Sequence, residues 1–316
     1  MTPASPGRRV LGWTITGVVL FFLGRFAWSN WQKIREVDFA IRVDALLLSM
    51  VVLALYFMGR AWLWHFLTTR YRIDIPMRRS MGAWFLSQLG KYIPGKVFMY
   101  AGRLYYYARE GRSKTLFSLC FVVETMATIL SSTMIVLVAL AEVGLPQLQP
   151  YEPVLMIAIV GLVVALHPAV LRRLASWGLR MLGRSSINFA LRGRDTVLFV
   201  VLYSVNWLVF GIAFFLFINS IYRIGTEHIL YLAGAFSAAS LIGMFSVFVP
   251  SGLGVREGVL ILMLAPIVSV EAAIVISFAS RLWFTATELT GVGASWIFMR
   301  GHVPRKSELD TLAGTS

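Results

Sequence analysis

The sequence predicts an all-α, polytopic helical membrane protein. It reads as a single integral membrane domain over residues 1–316, with about six full spans and two re-entrant hairpins of opposite orientation. Three observations lead there. The chain is 58% hydrophobic with a mean hydropathy of +0.74, and several apolar runs reach the roughly 20 residues a helix needs to cross a bilayer. The basic residues are sorted by loop: Arg8/Arg9, Arg70–Arg79, Arg103–Lys114, Arg172–Arg194 and Arg300–Lys306 hold 19 of the 29. Two apolar segments are interrupted at their middle by proline, glycine and charge, KYIPGKV at 91–97 and FVPSGLGV at 248–255.

The elements follow in order. Residues 10–28 start after Arg8 and Arg9 like a signal peptide, but the apolar run is long and no small-residue cleavage site follows. It reads as an uncleaved first helix running outward. An amphipathic outer stretch covers 29–44, and a second helix, 45–67, returns inside. Basic loops stay cytoplasmic. Both flanks of 82–107 are Arg-rich, so this segment is expected to dip into the membrane and return, placing positions 80 and 112 in one compartment. Were it to span fully, the block Arg109–Lys114 would lie outside, and Arg172–Arg194 too, inverting the charge rule across the middle of the chain.

A long helix, 115–140, then runs outward to the loop EVGLPQLQPYEP, which has no basic residue. Helix 153–171 runs inward to a basic stretch, 172–194, and helix 195–218 runs outward. Residues 229–265 enter from outside and break at Pro250-Ser251-Gly252-Leu253-Gly254. The return piece 258–265 is too short to cross about 30 Å at about 1.5 Å per residue. Helix 273–298 runs inward. The units 82–140 and 229–298 thus form an inverted pair of hairpin plus helix, the arrangement that marks a transporter's midplane site. Both termini are expected to be cytoplasmic.

Composition also excludes classes. A net charge of +14 suggests nucleic acid, but charge sorted by loop marks membrane topology instead. Cys120 is the single cysteine, so there is no disulfide framework, and His65, His167, His228 and His302 are scattered without metal-ligand spacing. GLGVREG misses the dinucleotide fingerprint, and no phosphate-cradling P-loop occurs. No cofactor and no enzyme activity is expected. Ser251 is the one nucleophile an intramembrane hydrolase could use.

The candidate site residues lie at the two breaks and on the helices after them. Pro94, Gly95, Pro250, Ser251, Gly252 and Gly254 end one half-helix and open another, whose free N–H groups suit an anion. Lys91, Tyr92, Lys96 and Arg103 lie on or near the first hairpin, and Arg256 and Glu257 at the second. A charge inside a bilayer costs at least about 2.5 kcal/mol unless it pairs, contacts a ligand or snorkels. Glu124, Arg281 and Glu288 lie in long apolar helices. Arg281 and Glu288, seven apart, share a helix face, and these acids and bases are also what an internal ion-pair network would use. The tyrosines Tyr105, Tyr106 and Tyr107 fit interfacial anchoring.

KYIPGKV followed by Gly102-Arg103, a helix with Glu124, PSGLGVREG at 250–258 and a helix with Arg281 together resemble the lysylphosphatidylglycerol synthase transmembrane-region family, over about 10–300. Members often carry Glu-Arg-x-x-Asp after the first hairpin. Here the segment is Glu124-Thr125-Met126-Ala127-Thr128, which keeps only the acid. The soluble synthase domain is absent. The resemblance implies flippase-like translocation of an anionic, aminoacylated or glycosylated lipid across a plasma (inner) membrane, with a membrane phospholipid or lipid-linked sugar as partner. The alternative is a non-transporting accessory protein that holds a lipid carrier for a glycosyltransferase. A homo-oligomer stays open.

Overall fold

The computed structural model describes residues 41–92, 97–143, 168–181, 193–246, 252 and 254–299, with isolated positions 28, 157, 161 and 164. Among these are nine α-helices and no strand: α1 Val43–Arg70, α2 Met77–Gln88, α3 Val97–Arg109, α4 Lys114–Val143, α5 Pro168–Met181, α6 Gly193–Asn219, α7 Ile229–Phe245, α8 Val255–Leu264 and α9 Val270–Phe298. Their ends follow local chemistry. α1 has Asp44 in its first turn and Arg70 in its last, matching the helix dipole. Gly111, at φ +69°, closes α3. Ser113 Oγ accepts the Leu116 N–H at the start of α4, and Ser269 Oγ accepts the Ala272 N–H at the start of α9.

Among the described residues five segments are long and apolar enough to cross a membrane: Val43–Arg70, Lys114–Leu140, Val197–Asn219, Thr226–Phe245 and Val270–Ile297. Four match expected spans. The fifth is a departure, because residues 229–265 are expected to enter and return as a hairpin, while Thr226–Phe245 is long enough to cross. Expected helix 10–28 lies outside the described residues apart from Trp28, and helix 153–171 is described only at 157, 161, 164 and from 168 onward. The expected basic stretch after 171 is helical through Met181. Arg and Leu are good helix formers, and the apolar residues Val170, Leu171, Leu174 and Gly178 recur at helical spacing.

Both interrupted segments fold as antiparallel helical pairs. In the first, Ser80 Oγ lies 2.7 Å from Tyr107 Oη, Arg103 Nε donates to Ser87 Oγ (3.2 Å), and Gly90 abuts the Met99 backbone. α2 and α3 hold 12 and 13 residues, about 20 Å or less at about 1.5 Å per residue. In the second, Tyr231 Oη donates to Met263 O (2.6 Å), and Gly243 meets Gly252. α8 begins at Val255, three residues before the expected return piece, because Glu257 caps it.

α1 packs along α6, α7 along α4, and α2 along α9. The aromatic core lies where α1, α6, α7 and α9 meet. The Phe210 ring is 3.9 Å from Phe236 and 6.0 Å from Trp283, and Trp283 Nε1 donates to Ser49 Oγ (2.9 Å), tying α9 to α1. Tyr105, Tyr106 and Tyr107 are all buried, against the expectation of interfacial anchors. Tyr107 Oη accepts from Trp64 Nε1 (3.0 Å). Outward, Leu47, Leu48, Val51, Leu55, Leu282 and Leu289 are exposed, as expected of faces solvated by acyl chains.

Gly252 sits at φ +66°, and a Cβ there would lie 2.8 Å from the Gly243 Cα. Gly252→Ala is therefore expected to cost about 2 kcal/mol or more. Gly258→Ala, in α8 with nothing within 4 Å of the added methyl, should be neutral or stabilising. Thermal unfolding of the detergent-solubilised variants distinguishes the two.

Candidate functional site

Among the described residues three carboxylates are buried in this bundle, and each holds a cation from another element. In the first unit, Arg103 of α3 donates through Nη1 to Glu124 Oε2 of α4 (2.6 Å), while Trp84 Nε1 of α2 donates to Glu124 Oε1 (3.2 Å). The Arg103 guanidinium also stacks 4.3 Å from the Trp64 ring. Arg103 is 1% exposed and Glu124 6%, so Arg103 does not snorkel. It is satisfied by a carboxylate, a hydroxyl and an aromatic face.

The second unit has the same pair with the charges exchanged. Glu257 of α8 receives Arg281 Nη1 of α9 (3.0 Å) on Oε1 and the Gly254 N–H (2.6 Å) on Oε2. That second bond is half of a capping box, since glycine has no side chain to return it. Ser277 Oγ of α9 donates to the Glu257 carbonyl (3.0 Å). Of the N–H groups expected to face an anion at the start of α8, that of Gly254 is thus taken by the chain's own carboxylate. The preceding glycine Gly254 adopts φ +83°, a conformation that fits the break.

The third contact joins the two units. Lys91, in the 3₁₀ turn Leu89–Tyr92 that ends the first arm, donates to Glu288 Oε1 of α9. Arg281 and Glu288 share a face, as their spacing predicts, but each holds a different hairpin. Between them stands Phe284. Lys91 Nζ lies 5.0 Å from its ring centroid and the Arg256 guanidinium 4.9 Å. One cation from each hairpin thus meets on a single ring, and their charged heads are within about 10 Å of each other. Arg256 also lies 4.2 Å from the Phe236 centroid.

Of the expected site residues, the structure brings Lys91, Arg256, Arg281, Glu257 and Glu288 together around Phe284, and places Arg103 with Glu124 in a neighbouring network. Gly252 and Gly254 form the second turn. Tyr92 is described in its backbone alone. Pro94, Gly95, Lys96, Pro250 and Ser251 lie outside the described residues. The sequence reading missed Phe284, although its position three after Arg281 and four before Glu288 puts it on their face. It also missed Trp84 and Ser87, which carry no charge to mark them. Arg60 is a further cation within the apolar helix α1. Its Nη2 donates to Thr128 Oγ1 (3.1 Å), and its guanidinium lies over the Tyr203 ring at 4.5 Å.

A family model described as the lysylphosphatidylglycerol synthase TM region matches residues 9–286. A search of curated proteins finds no match to the chain.

Removing one partner of a buried pair strands the other charge. Glu124→Ala is expected to destabilise by about 3–5 kcal/mol. The double replacement Arg103→Met/Glu124→Leu should cost clearly less, because no charge is left behind. Unfolding midpoints of the two variants in detergent check this ordering.

Proposed function

The chain belongs to the lysylphosphatidylglycerol synthase transmembrane-region family, which ties it to membrane lipid, and on that premise we propose that it translocates an anionic, aminoacylated or glycosylated lipid between leaflets without covalent chemistry. The meeting of Lys91 and Arg256 on Phe284 carries the reading. In this reading the two hairpins enter the bilayer from opposite sides and their tips form a polar site near mid-depth. Depth supports it. Glu124 lies ten residues from the start of α4 and Glu288 ten from the end of α9, about 15 Å along each helix, half of a core about 30 Å thick.

The proposed cycle is an exchange of partners. A lipid phosphate replaces Glu288 on Lys91 and draws on Arg256, so no cation is left uncompensated at any stage. Swapping one anion for another avoids most of the penalty of stranding a charge in low dielectric. The freed Glu288 can then receive a cationic amine of an aminoacylated headgroup. Glu257 and Arg281 hold the second hairpin against α9 while this happens, and the acyl tails stay in lipid. The membrane is proposed to be the plasma (inner) membrane with both termini cytoplasmic. Transport is downhill or coupled to an ion.

Reconstitution into liposomes with a headgroup-labelled anionic phospholipid, read by a leaflet-specific quencher, tests this. Wild-type protein should accelerate exchange, Lys91→Arg should retain it, and Lys91→Ala/Arg256→Ala should lower it at least about tenfold, the effect of losing one or more charge-assisted bonds. Undiminished exchange in the double variant overturns the reading. Lipid binding without movement overturns it in favour of an accessory protein that holds a lipid carrier for a glycosyltransferase. Topology is tested separately. Ser80 is buried, so cysteines are placed at Met77 and Arg112, both exposed, in a Cys120→Ala background. An impermeant maleimide should reach both from one side, and labelling from opposite sides would remove the first re-entrant hairpin.

A further inference from the structure

Tyr56 stands at the middle of α1, thirteen residues from its start and fourteen from its end. Its ring packs into the aromatic core beside Phe284. It lies 5.4 Å from the Phe57 ring, which is itself 5.0 Å from Phe284. On its other side it lies 5.1 Å from Phe210, which is 3.9 Å from Phe236. Phe236 and Phe284 are the two rings that carry the Arg256 guanidinium. Tyr56 is therefore one ring removed from the place where the cations of the two hairpins meet. Arg256, Glu288 and Arg60 all lie within electrostatic reach of its hydroxyl.

The residue is 7% exposed. Its backbone carbonyl accepts from Asn206 Nδ2 of α6 (3.2 Å), so the main chain here is fixed. Its hydroxyl makes no hydrogen bond among the described residues, yet it is not closed off as the Tyr203 hydroxyl is. Tyr107 shows the opposite case: Trp64, Thr68 and Ser80 all lie within hydrogen-bond distance of its Oη. A phenol at this depth finds an acceptor as a rule, because an unused buried donor costs free energy. The Tyr56 hydroxyl keeps its donor free and reachable, in the field of two cations and one carboxylate.

We propose that Tyr56 is a specificity-determining residue of the lipid site, donating its hydroxyl to a headgroup oxygen that lies beyond the phosphate. The inference rests on the lipid reading above and deepens it. Lys91 and Arg256 hold the phosphate at Phe284, and the phenol, one ring farther in, meets what the phosphate carries. The substrate class is then an anionic lipid whose headgroup bears a hydroxyl or ester oxygen, as a glycerol, an aminoacyl ester or a sugar does. A lipid of the same charge with a bare alkyl group in that place leaves the hydroxyl without an acceptor and binds more weakly.

The test compares phosphatidylglycerol with phosphatidylethanol, which has the same charge and no headgroup hydroxyl. Each is titrated into micelles of the solubilised protein, and the thermal midpoint is followed. Wild-type protein should respond to phosphatidylglycerol at a mole fraction about tenfold lower. Tyr56→Phe should keep the lipid-free midpoint, since no bond within the protein is lost, and keep the phosphatidylethanol response. Its phosphatidylglycerol response should weaken about tenfold, so that the preference disappears. A variant that retains the preference, or that weakens for both lipids equally, overturns the proposal. So does a clear fall in the lipid-free midpoint, because the hydroxyl would then serve the fold. Leaflet exchange separates this inference from the one beneath it. If wild-type protein moves phosphatidylglycerol and Tyr56→Phe keeps the preference, the lipid reading stands and the role of Tyr56 falls. If wild-type protein binds neither lipid, both fall. If it binds without moving them, translocation falls and the binding comparison alone decides Tyr56.

Discussion

The interior of this protein depends on one stripe of α9. Ser277, Arg281, Phe284 and Glu288 follow one another at intervals of three and four residues and so face one way. Arg281 and Ser277 hold the second hairpin through Glu257, Glu288 holds the first through Lys91, and Phe284 lies under a cation from each. A buried charge that loses its partner is costly, so these contacts hold both helical pairs against α9. Without that stripe the two turns would be separate kinks rather than one site.

The two units answer each other in chemistry as well as in packing. In one, the short helix carries the cation and the following long helix the acid, Arg103 to Glu124. In the other the roles are exchanged, Glu257 to Arg281. Packing is exchanged too: α2 of the first unit lies on α9 of the second, and α7 of the second lies on α4 of the first. Glycine makes these crossings close. Gly82 meets Met299, Gly291 meets Phe85, and Gly234 meets Ala139, the small-residue contact that lets membrane helices approach. The bond that joins the units, Lys91 to Glu288, is the one a charged headgroup would compete for in the proposed exchange, while the bonds within each unit stay made.

Much of this was legible in the chain. Apolar run length foretold four of the five segments that, among the described residues, are long and apolar enough to cross a membrane, and the glycines of the second cluster foretold the break before α8. The spacing of Arg281 and Glu288 gave their shared face, and the residues from Lys91 to Glu288 that carry charge in apolar surroundings were found because such charges are costly and therefore conspicuous. The basic stretch after 171 was misread as a loop because arginine signals topology and helix propensity at once. The tyrosines at 105–107 depart from the expectation because an amphipathic ring serves equally at an interface and in a core, and for Tyr107 the neighbours Trp64, Thr68 and Ser80 decide between them.

The sequence by itself determined that this is a helical membrane protein with two broken segments and a small set of embedded charges, because hydropathy, backbone breakers and ionised groups act locally along a chain. Tertiary structure alone decided which charge meets which. Lys91 and Glu288 are 197 residues apart, and nothing in their local sequence chooses that pairing over Lys91 with Glu124 or Arg256 with Glu288. The choice is made by helix packing, which brings side chains from distant segments together and sets Arg60 against the Thr128 hydroxyl and the Tyr203 ring.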